Sequence, residues 1–304
     1  MDGVLVLHKP AGMTSHDCVF KVRKLLRTKK VGHTGTLDPD VTGVLPICIG
    51  RATKIVEYLT GATKTYEGEV TIGFSTTTED ASGEIVDQKK VVDTFTRTQI
   101  EKVLASLTGE IEQVPPMYSA VKINGKKLYE YARQGIEVER PIRKIKIHTF
   151  ELLDERQLFE GEQVSFRFRV VCSKGTYVRT LAVMIGEALG YPSHMSYLQR
   201  TGSGQFSLAD CMTFEDIEEA VKDGTIEECL HSIERALFHL PKLEINDTLA
   251  EKVKNGAVLP CPEDENLLTG QFLMMDSQGK CMAIYAQHPT KKHLIKPVKV
   301  LAID

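Results

Sequence analysis

Residue types that can do chemistry are concentrated in one short segment, residues 31–43. It contains three glycines, a histidine (His33) and two aspartates, the first of which is Asp38, and it has neither helical nor strand periodicity. The proline that follows Asp38 disfavours helical backbone at the aspartate and makes Asp38-Pro39 a turn dipeptide. Because apolar runs flank the segment, we expect a rigid loop, anchored to a buried sheet, that presents the Asp38 carboxylate.

Residue types alone leave two interpretations of this loop. An aspartate before a proline commonly closes an Asx turn between two secondary-structure elements. A carboxylate on a rigid loop can also act on a glycosidic bond, either as a nucleophile or by stabilising positive charge on the sugar. Both interpretations fit the composition of the segment.

The bulk composition is that of a globular protein without a cofactor motif. Of the 304 residues, 42% are hydrophobic and 26% are charged, and no apolar run approaches the about 20 residues that span a bilayer. Seven cysteines are scattered singly, and metal-ligand, phosphate-loop and dinucleotide motifs are missing. The sequence therefore predicts no metal, no cofactor, no disulfide framework and no membrane association. Without a signal-peptide pattern, the expected location is cytoplasmic.

Charge is unevenly distributed along a chain whose formal net charge is −3. Residues 1–60 contain nine Lys or Arg against five Asp or Glu, and residues 117–150 contain eight against three. Residues 61–116 and 206–240 are acidic. This pattern fits one positive surface for a polyanion such as RNA, and it equally fits solvated lysines on unrelated faces.

Seven sequence blocks, in this chain order, resemble the motifs of the TruB family of tRNA pseudouridine synthases. They are Lys9-Pro-x-Gly-Met-Thr-Ser15, Gly32-His-Thr-Gly-x-Leu-Asp-Pro39 with Thr42-Gly43, Lys64-x-Tyr66, Pro115-Pro-Met-Tyr-Ser-Ala-Val-Lys122, Gly125-Lys-Lys-Leu-Tyr-Glu-Tyr-Ala-Arg-Gln-Gly135, Ser173-Lys-Gly-Thr-Tyr-Val-Arg179 and Tyr197-Leu-x-Arg-Thr-Gly202. Each block alone is weakly specific, whereas seven in order are highly specific. The C-terminal sixty residues only loosely resemble the small RNA-binding, PUA-like domain of the family.

The resemblance implies an isomerase that acts on uridine 55 in the T-loop of tRNA. The uridine is flipped out, its uracil is detached from the ribose and rotated, and it is reattached through C5 as pseudouridine. The implied partner is tRNA, bound through its T-arm, and no metal or cofactor takes part. A monomer is the default expectation.

Three residues acquire catalytic roles through the resemblance. Asp38 corresponds to the essential aspartate, and three roles are open for it: attack on the sugar, attack on the base, or removal of a sugar proton. Arg179 corresponds to its partner, which would orient the carboxylate and keep it ionised. Tyr66 corresponds to the aromatic residue that stacks on the target base and whose hydroxyl could accept a proton. Without the resemblance, Arg179 reads as a surface ion pair and Tyr66 as a packed strand residue.

Further residues are implied to contact the substrate. Tyr177 and Leu198 would line the uracil pocket, and His33 would support the space near the extruded base without acid–base work. Phosphate contacts are expected from basic side chains, which position RNA without reading its sequence. These side chains are Lys9, Lys54, Lys64, Lys122, Lys126 and Lys127.

Periodicity and turn residues predict the elements that position these side chains. Strands are predicted over 3–8, 64–74, 142–153 and 163–172, and helices over 15–27, 96–107, 126–134, 176–189 and 214–238. Residues 28–43 are predicted to be loop throughout, and Asn124-Gly125 predicts a hairpin. After residue 241, one helix and short strands near 272–275, 281–286 and 294–301 are expected.

Strands that follow one another without regular crossover helices indicate an α+β fold. We expect a mixed, largely antiparallel central sheet flanked by helices, which the resemblance identifies as the pseudouridine synthase fold. The predicted catalytic domain is 1–240, with an RNA-gripping arm at about 117–146. The predicted second domain is a small, β-rich, PUA-like module at 241–304.

Two other functional classes are compatible with parts of the sequence. A non-catalytic tRNA-binding module or RNA chaperone would explain the basic segments, and its product would be unmodified tRNA. A glycosidase or nucleosidase could use Asp38, although a clear second carboxylate is missing and the basic arm has no use in it. Nucleoside analysis of treated tRNA separates the three classes, because they yield pseudouridine, unchanged uridine and free uracil respectively.

Overall fold

A computed structural model describes residues 1–302, which divide into two compact units, each built from non-contiguous segments. Unit 1 comprises Met1–Pro39, Leu45–Thr60 and the chain from Ala209 onwards. Unit 2 comprises Asp40–Val44 and Gly61–Leu208. The chain segments that contain Asp38 and Tyr66 therefore belong to different units, and each unit is described by itself below.

Strands dominate both units. The strands are β1 (Gly3–Lys9), β2 (Val31–His33), β3 (Thr42–Ile49), β4 (Lys64–Ile72), β5 (Phe74–Thr76), β6 (Ile85–Gln88), β7 (Phe95–Thr96), β8 (Gly109–Gln113), β9 (Lys122–Ile123), β10 (Lys126–Lys127), β11 (Arg143–Leu152), β12 (Leu158–Phe159), β13 (Val164–Cys172), β14 (Ser193–Ser203), β15 (Phe206–Ser207), β16 (Lys242–Glu244), β17 (Leu259–Pro260), β18 (Gln271–Met275), β19 (Cys281–Gln287) and β20 (Leu294–Val300).

The longest of the α-helices in the described residues, Val178–Leu189, has 12 residues. The α-helices are α1 (Ser15–Leu25), α2 (Val56–Gly61), α3 (Arg97–Ser106), α4 (Leu128–Ala132), α5 (Val178–Leu189), α6 (Phe214–Asp223), α7 (Ile233–Ala236) and α8 (Asp247–Lys254). Shorter 3-10 helices cover Gly50–Ile55, Leu208–Asp210 and Glu265–Thr269.

Unit 2 is a mixed sheet with helices on one face. The first residues of β3 run parallel to β14, and β14, β4, β13, β11 and β8 then follow in antiparallel order. Along β13, Val164, Phe166, Phe168 and Val170 are buried and alternate with more exposed residues, as expected for a strand with one face towards the core. Helix α5 packs on β14 and β4, and α3 packs against β11 and α5. The predicted α+β fold with a largely antiparallel sheet is confirmed.

Unit 1 contains the N-terminal strands and a separate C-terminal sheet. Its first core joins buried residues of β1 and the second half of β3 to α1 and α6. Helix α1 begins with a capping box, in which Thr14 and Asp17 satisfy each other's backbone amides. The C-terminal sheet has the order β16-β18-β19-β20-β17 and its own apolar cluster around Phe272 and Tyr285. The expected β-rich C-terminal part is therefore present.

Several elements differ from the sequence-based expectation, among them residues 28–43 and 214–238. Residues 28–43 are not loop throughout, because β2 pairs with the second half of β3 in the register Val31↔Ile49. The acidic segment 214–238 is not continuously helical: α6 ends at Gly224, whose φ of 75° gives a left-handed C-cap, and α7 follows only at Ile233.

Candidate active site

The loop that carries Asp38 is fastened by hydrogen bonds on both sides of the aspartate. Before it, the buried Leu37 donates its backbone amide to Ser15 Oγ at 2.9 Å. Further back, Thr34 donates both its amide and its hydroxyl to the Pro46 carbonyl, at 3.2 and 3.1 Å. Asp38 itself is partly buried. The carboxylate therefore extends from a main chain with little freedom to move, as the sequence predicts.

Lys9 fastens the same loop from its other end. The side chain is fully buried, and its Nζ donates to the Pro10 and Pro39 carbonyls, each at 2.7 Å. The Pro39 carbonyl also accepts the Gly12 amide at 3.0 Å. Burial of this ammonium argues against the predicted phosphate contact, and its bond to the Pro39 carbonyl instead holds the residue that follows Asp38.

His33 lies in β2, at the start of the loop. Its Nδ1 accepts the Gly35 amide at 3.3 Å, so a neutral ring carries its proton on Nε2. This bond between residues two apart in the chain orients the imidazole. The residue is partly buried.

In unit 2, Tyr66 and Leu198 lie on the same face of adjacent strands. Tyr66 of β4 pairs with Arg200 of β14, and Leu198 pairs with Gly68, two residues along from Tyr66. A Cβ atom at Gly68 would lie 2.6 Å from the Phe168 ring and 3.1 Å from Leu198 Cδ1. Glycine is therefore required for this close packing beside Tyr66, and the ring of Tyr66 is partly exposed.

Arg179 is buried, with 5% of its surface exposed, in the first turn of α5. Its Nη1 donates to the Thr78 carbonyl and its Nη2 to the Tyr118 carbonyl, both at 2.9 Å. The Asp80 carboxylate lies 3.7 Å from Nη1. The guanidinium is thus held by two loops, and the surface ion pair suggested by residue type alone is wrong.

Gln113 fixes Tyr177, the residue before α5. Gln113 Oε1 accepts the Tyr177 amide at 2.8 Å, and its Nε2 donates to the Tyr177 carbonyl at 3.0 Å. The amide side chain is 3% exposed and satisfies the main chain at the helix start, where side-chain capping is missing. Gln113, Thr78 and Tyr118 were not identified from sequence, because two of them act through carbonyls that every residue type possesses.

Lys64 is also buried, with 6% of its surface exposed, and its Nζ donates to the Ala62 carbonyl at 2.7 Å. Burial lowers the pKa of this ammonium to about 8, with a smaller effect from the Arg200 charge. Burial therefore argues against the predicted phosphate contact of Lys64 as well. Lys54 is partly exposed, donates to the Val300 carbonyl at 2.6 Å, and has its pKa lowered mainly by desolvation.

The predicted hairpin of the arm is present. Strands β9 and β10 pair Lys127 with Lys122, and Asn124 and Gly125 have φ angles of 50° and 84°, as a type I′ turn requires. Lys122 and Lys126 are exposed, and the Lys127 ammonium lies 5.4 Å from the centre of the Tyr129 ring. The hairpin therefore presents several cations to solvent.

Within residues 1–302, no group of three or more His, Cys, Asp or Glu side chains is placed to hold a metal ion. No helix in that range is both long and apolar enough to cross a bilayer.

Comparisons with known proteins agree with this architecture. The model of the TruB family pseudouridylate synthase N-terminal domain matches residues 23–178, and that of the tRNA pseudouridylate synthase B C-terminal domain matches 179–238. The tRNA pseudouridine synthase B of Bacillus cereus is 65% identical over 302 residues, which cover 99% of this chain and 97% of the relative. That of Geobacillus thermodenitrificans is 65% identical over 300 residues, 99% of each chain.

Two solved structures share the fold over nearly the whole chain. A Cbf5-Nop10-Gar1 complex matches with a TM-score of 0.72 and 29% identity, covering 99% of this chain and 85% of the other. An H/ACA RNP bound to a substrate RNA containing 2'-deoxyuridine matches with a TM-score of 0.72, 27% identity and the same coverage. The fold and these matches define an RNA-modifying isomerase. The chain belongs to the TruB family of pseudouridylate synthases.

Proposed function

We propose that this chain converts uridine 55 in the T-loop of tRNA to pseudouridine, with Asp38 as the essential carboxylate. The relatives at 65% identity are named tRNA pseudouridine synthase B, which supports tRNA as the substrate. The observation that carries the catalytic part is the fastening of the Asp38 loop by Ser15 and the buried Lys9. Because the loop is already held in one conformation, little conformational entropy is lost when substrate binds. This favours reaction from a fixed geometry.

In the proposed reaction, the C1′–N1 glycosidic bond breaks, the uracil rotates, and a C1′–C5 bond forms. Asp38 attacks the sugar, attacks the base or removes a sugar proton, and once the C1′–C5 bond has formed, the C5 proton leaves the base and N1 takes up a proton. Arg179 pairs with Asp38 in this proposal and keeps the carboxylate ionised, as an opposite charge lowers a carboxyl pKa. In that later step the Tyr66 hydroxyl takes up the C5 proton and passes its own proton to solvent, so the residue acts as a relay and ends unchanged.

Binding of the flipped base is assigned to the partly exposed ring of Tyr66, with Tyr177 and Leu198 lining the pocket and His33 supporting it. Stacking on an aromatic ring contributes about 1–3 kcal/mol per base. Extruding a base costs a few kcal/mol, so one stacking contact offsets much of that cost. The rest of the cost falls to the other contacts with the flipped base, which are assigned to Tyr177, Leu198 and His33.

Phosphate contacts are assigned to Lys54, Lys122, Lys126 and Lys127, which retain exposed surface. We propose that the arm, residues 117–146, closes over the T-arm through these cations. The proposed setting is the cytoplasm, with the protein acting as a monomer, because each assigned residue comes from one chain.

Tritium release from tRNA labelled at C5 of uridine tests the proposal. The unaltered protein should release tritium, and digestion of the product should yield pseudouridine. Asp38→Asn should abolish release while tRNA affinity stays within about tenfold, since the amide keeps the shape of the side chain and loses its charge. Turnover by Asp38→Asn would refute its role.

A rival class, the non-catalytic RNA chaperone, makes the opposite prediction for the same assay. It requires tRNA binding and refolding without any change in the nucleoside. Unchanged uridine after incubation with the unaltered protein would favour this class, and free uracil would favour a nucleosidase. The proposed synthase yields neither.

A further inference from the structure

Glu79 has a backbone conformation that glutamate rarely adopts. Its φ is 63°, in the left-handed region, where a residue with a Cβ atom costs about 1–2 kcal/mol. It lies in the turn formed by residues 76–83, which is closed by Gly83: a Cβ atom there would come within 2.5 Å of Thr78 Oγ1. The strain therefore occurs in a turn too compact to relax locally.

The same turn holds the guanidinium of Arg179. The residue before Glu79 contributes its carbonyl to Nη1 at 2.9 Å, and the residue after it places its carboxylate 3.7 Å from the same atom. Asp80 Oδ1 is already engaged by Ser82, which donates its amide at 3.0 Å and its hydroxyl at 2.6 Å. The turn is thus a preformed cradle for Arg179.

Glu79 ties this cradle to the helix that carries Arg179. Its Oε2 accepts the Thr180 hydroxyl at 2.7 Å, and Thr180 is the next residue after Arg179 in α5. Its carbonyl accepts the Met195 amide of β14 at 3.0 Å. One residue therefore connects the turn, the helix and the sheet.

We propose that Glu79 is a positioning residue for Arg179, acting through its hydrogen bond to Thr180. The bond fixes the spacing between the cradle and the first turn of α5, and hence the direction in which the guanidinium points. This inference rests on the role proposed above for Arg179 in orienting the catalytic carboxylate.

A purely structural role fits Glu79 poorly. Besides the strained φ, desolvation raises the pKa of the Glu79 carboxyl, although the Thr180 hydrogen bond and the charges of Arg179 and Arg140 oppose that shift. Desolvation disfavours an ionised glutamate here and offsets part of what the hydrogen bond to Thr180 contributes, so the net stabilisation of the fold by this side chain should be small. Its contribution should then appear in the reaction rate.

Four variants test the hydrogen bond between Glu79 and Thr180 under single-turnover conditions, with enzyme in excess over labelled tRNA. Glu79→Ala and Thr180→Val each remove one partner, and the valine keeps the shape of threonine. We expect each to lower the rate constant about tenfold, as expected for a misplaced catalytic group, with unchanged tRNA affinity. Glu79→Gln and Thr180→Ser keep an acceptor and a donor, and should retain rates within about threefold of the unaltered protein.

Glu160→Gln is the matched control, because this carboxylate is exposed and lies outside the turn. Thermal unfolding of every variant accompanies the rates, and the Glu79→Ala midpoint should be close to that of the unaltered protein. Unchanged rates in Glu79→Ala and Thr180→Val would overturn the inference, as would rate losses that merely follow a lower midpoint. Failure of the proposed function is distinct, because the unaltered protein would then release no tritium.

Discussion

Tyr66 combines a ring face with a hydroxyl, and two substitutions separate their contributions. Tyr66→Phe keeps stacking, so tRNA affinity should be unchanged while the rate of pseudouridine formation falls at least tenfold, since general acid–base catalysis contributes about a hundredfold or more. Tyr66→Leu should lower both the tRNA affinity and the rate of pseudouridine formation. Single-turnover rates and filter binding measure the two effects. Equal behaviour of the Phe and Leu variants would mean that the hydroxyl has no distinct role.

Lys9 shows how a buried lysine can act on a site without touching the substrate. Lys9→Met removes two hydrogen bonds, to the Pro10 and Pro39 carbonyls, each worth about 1.5–3 kcal/mol because the donor is charged. We expect a lower unfolding midpoint and a lower rate constant, with an unchanged dependence of tRNA affinity on salt.

Lys24→Met is the matched control for Lys9, because Lys24 is an exposed residue of the adjacent helix α1. If the salt dependence of tRNA affinity changes in Lys9→Met and not in Lys24→Met, Lys9 contacts a phosphate despite its burial. Denaturation curves and tRNA affinities at several salt concentrations distinguish a role of Lys9 in holding the loop from a contact with a phosphate.

At the scale of elements, the β9–β10 hairpin should act electrostatically. Each phosphate neutralised by a lysine releases counterions, so log affinity falls linearly with log salt concentration. Lys126→Gln and Lys127→Gln should each weaken tRNA binding and reduce the magnitude of that slope by about one. The control is Lys102→Gln, an exposed residue of α3 outside the arm. An equal effect of Lys102→Gln would argue against the arm as the binding element.

Elements with strong local signals could be predicted from sequence, and those set by long-range pairing could not. The Asn124-Gly125 hairpin and the end of α5 at Gly190, with φ of 83°, follow from residues that tolerate left-handed backbone. Strand β14 was not predicted as a strand, because bulges at Met195/Tyr197 and Arg200/Gly202 interrupt its alternation. Strand β2 depends on pairing with β3, which its own three residues do not reveal.

The candidate site likewise has features that could be predicted from sequence and features that could not. The sequence predicts the Asp38 loop from its glycines and proline, and the resemblance supplies the roles of Tyr66 and Arg179. It does not predict the carbonyl groups that hold Arg179, because main-chain acceptors have no residue signature. Nor does it reveal that Lys9 and Lys64 are buried, since lysine is almost never fully buried and exposure is the natural expectation.

For the molecule as a whole, Lys64 links folding to pH. Its pKa falls from the ordinary 10.5 to about 8 in the folded state, mainly through burial. Between these values the unfolded chain binds more protons than the folded one, so this residue makes stability increase as pH rises. Below about pH 8 both states are protonated, and the full cost of burying the charge is present.

Lys64→Met should therefore be more stable than the unaltered protein at pH 7, apart from a constant loss of the bond to Ala62. The difference in unfolding free energy should shift in favour of the unaltered protein between pH 8 and 10, where its own ammonium loses the proton. Denaturant unfolding at several pH values measures this, with the exposed Lys144→Met as control. A difference that stays constant from pH 7 to 10 would mean that Lys64 titrates alike in both states, contrary to its burial beside Arg200.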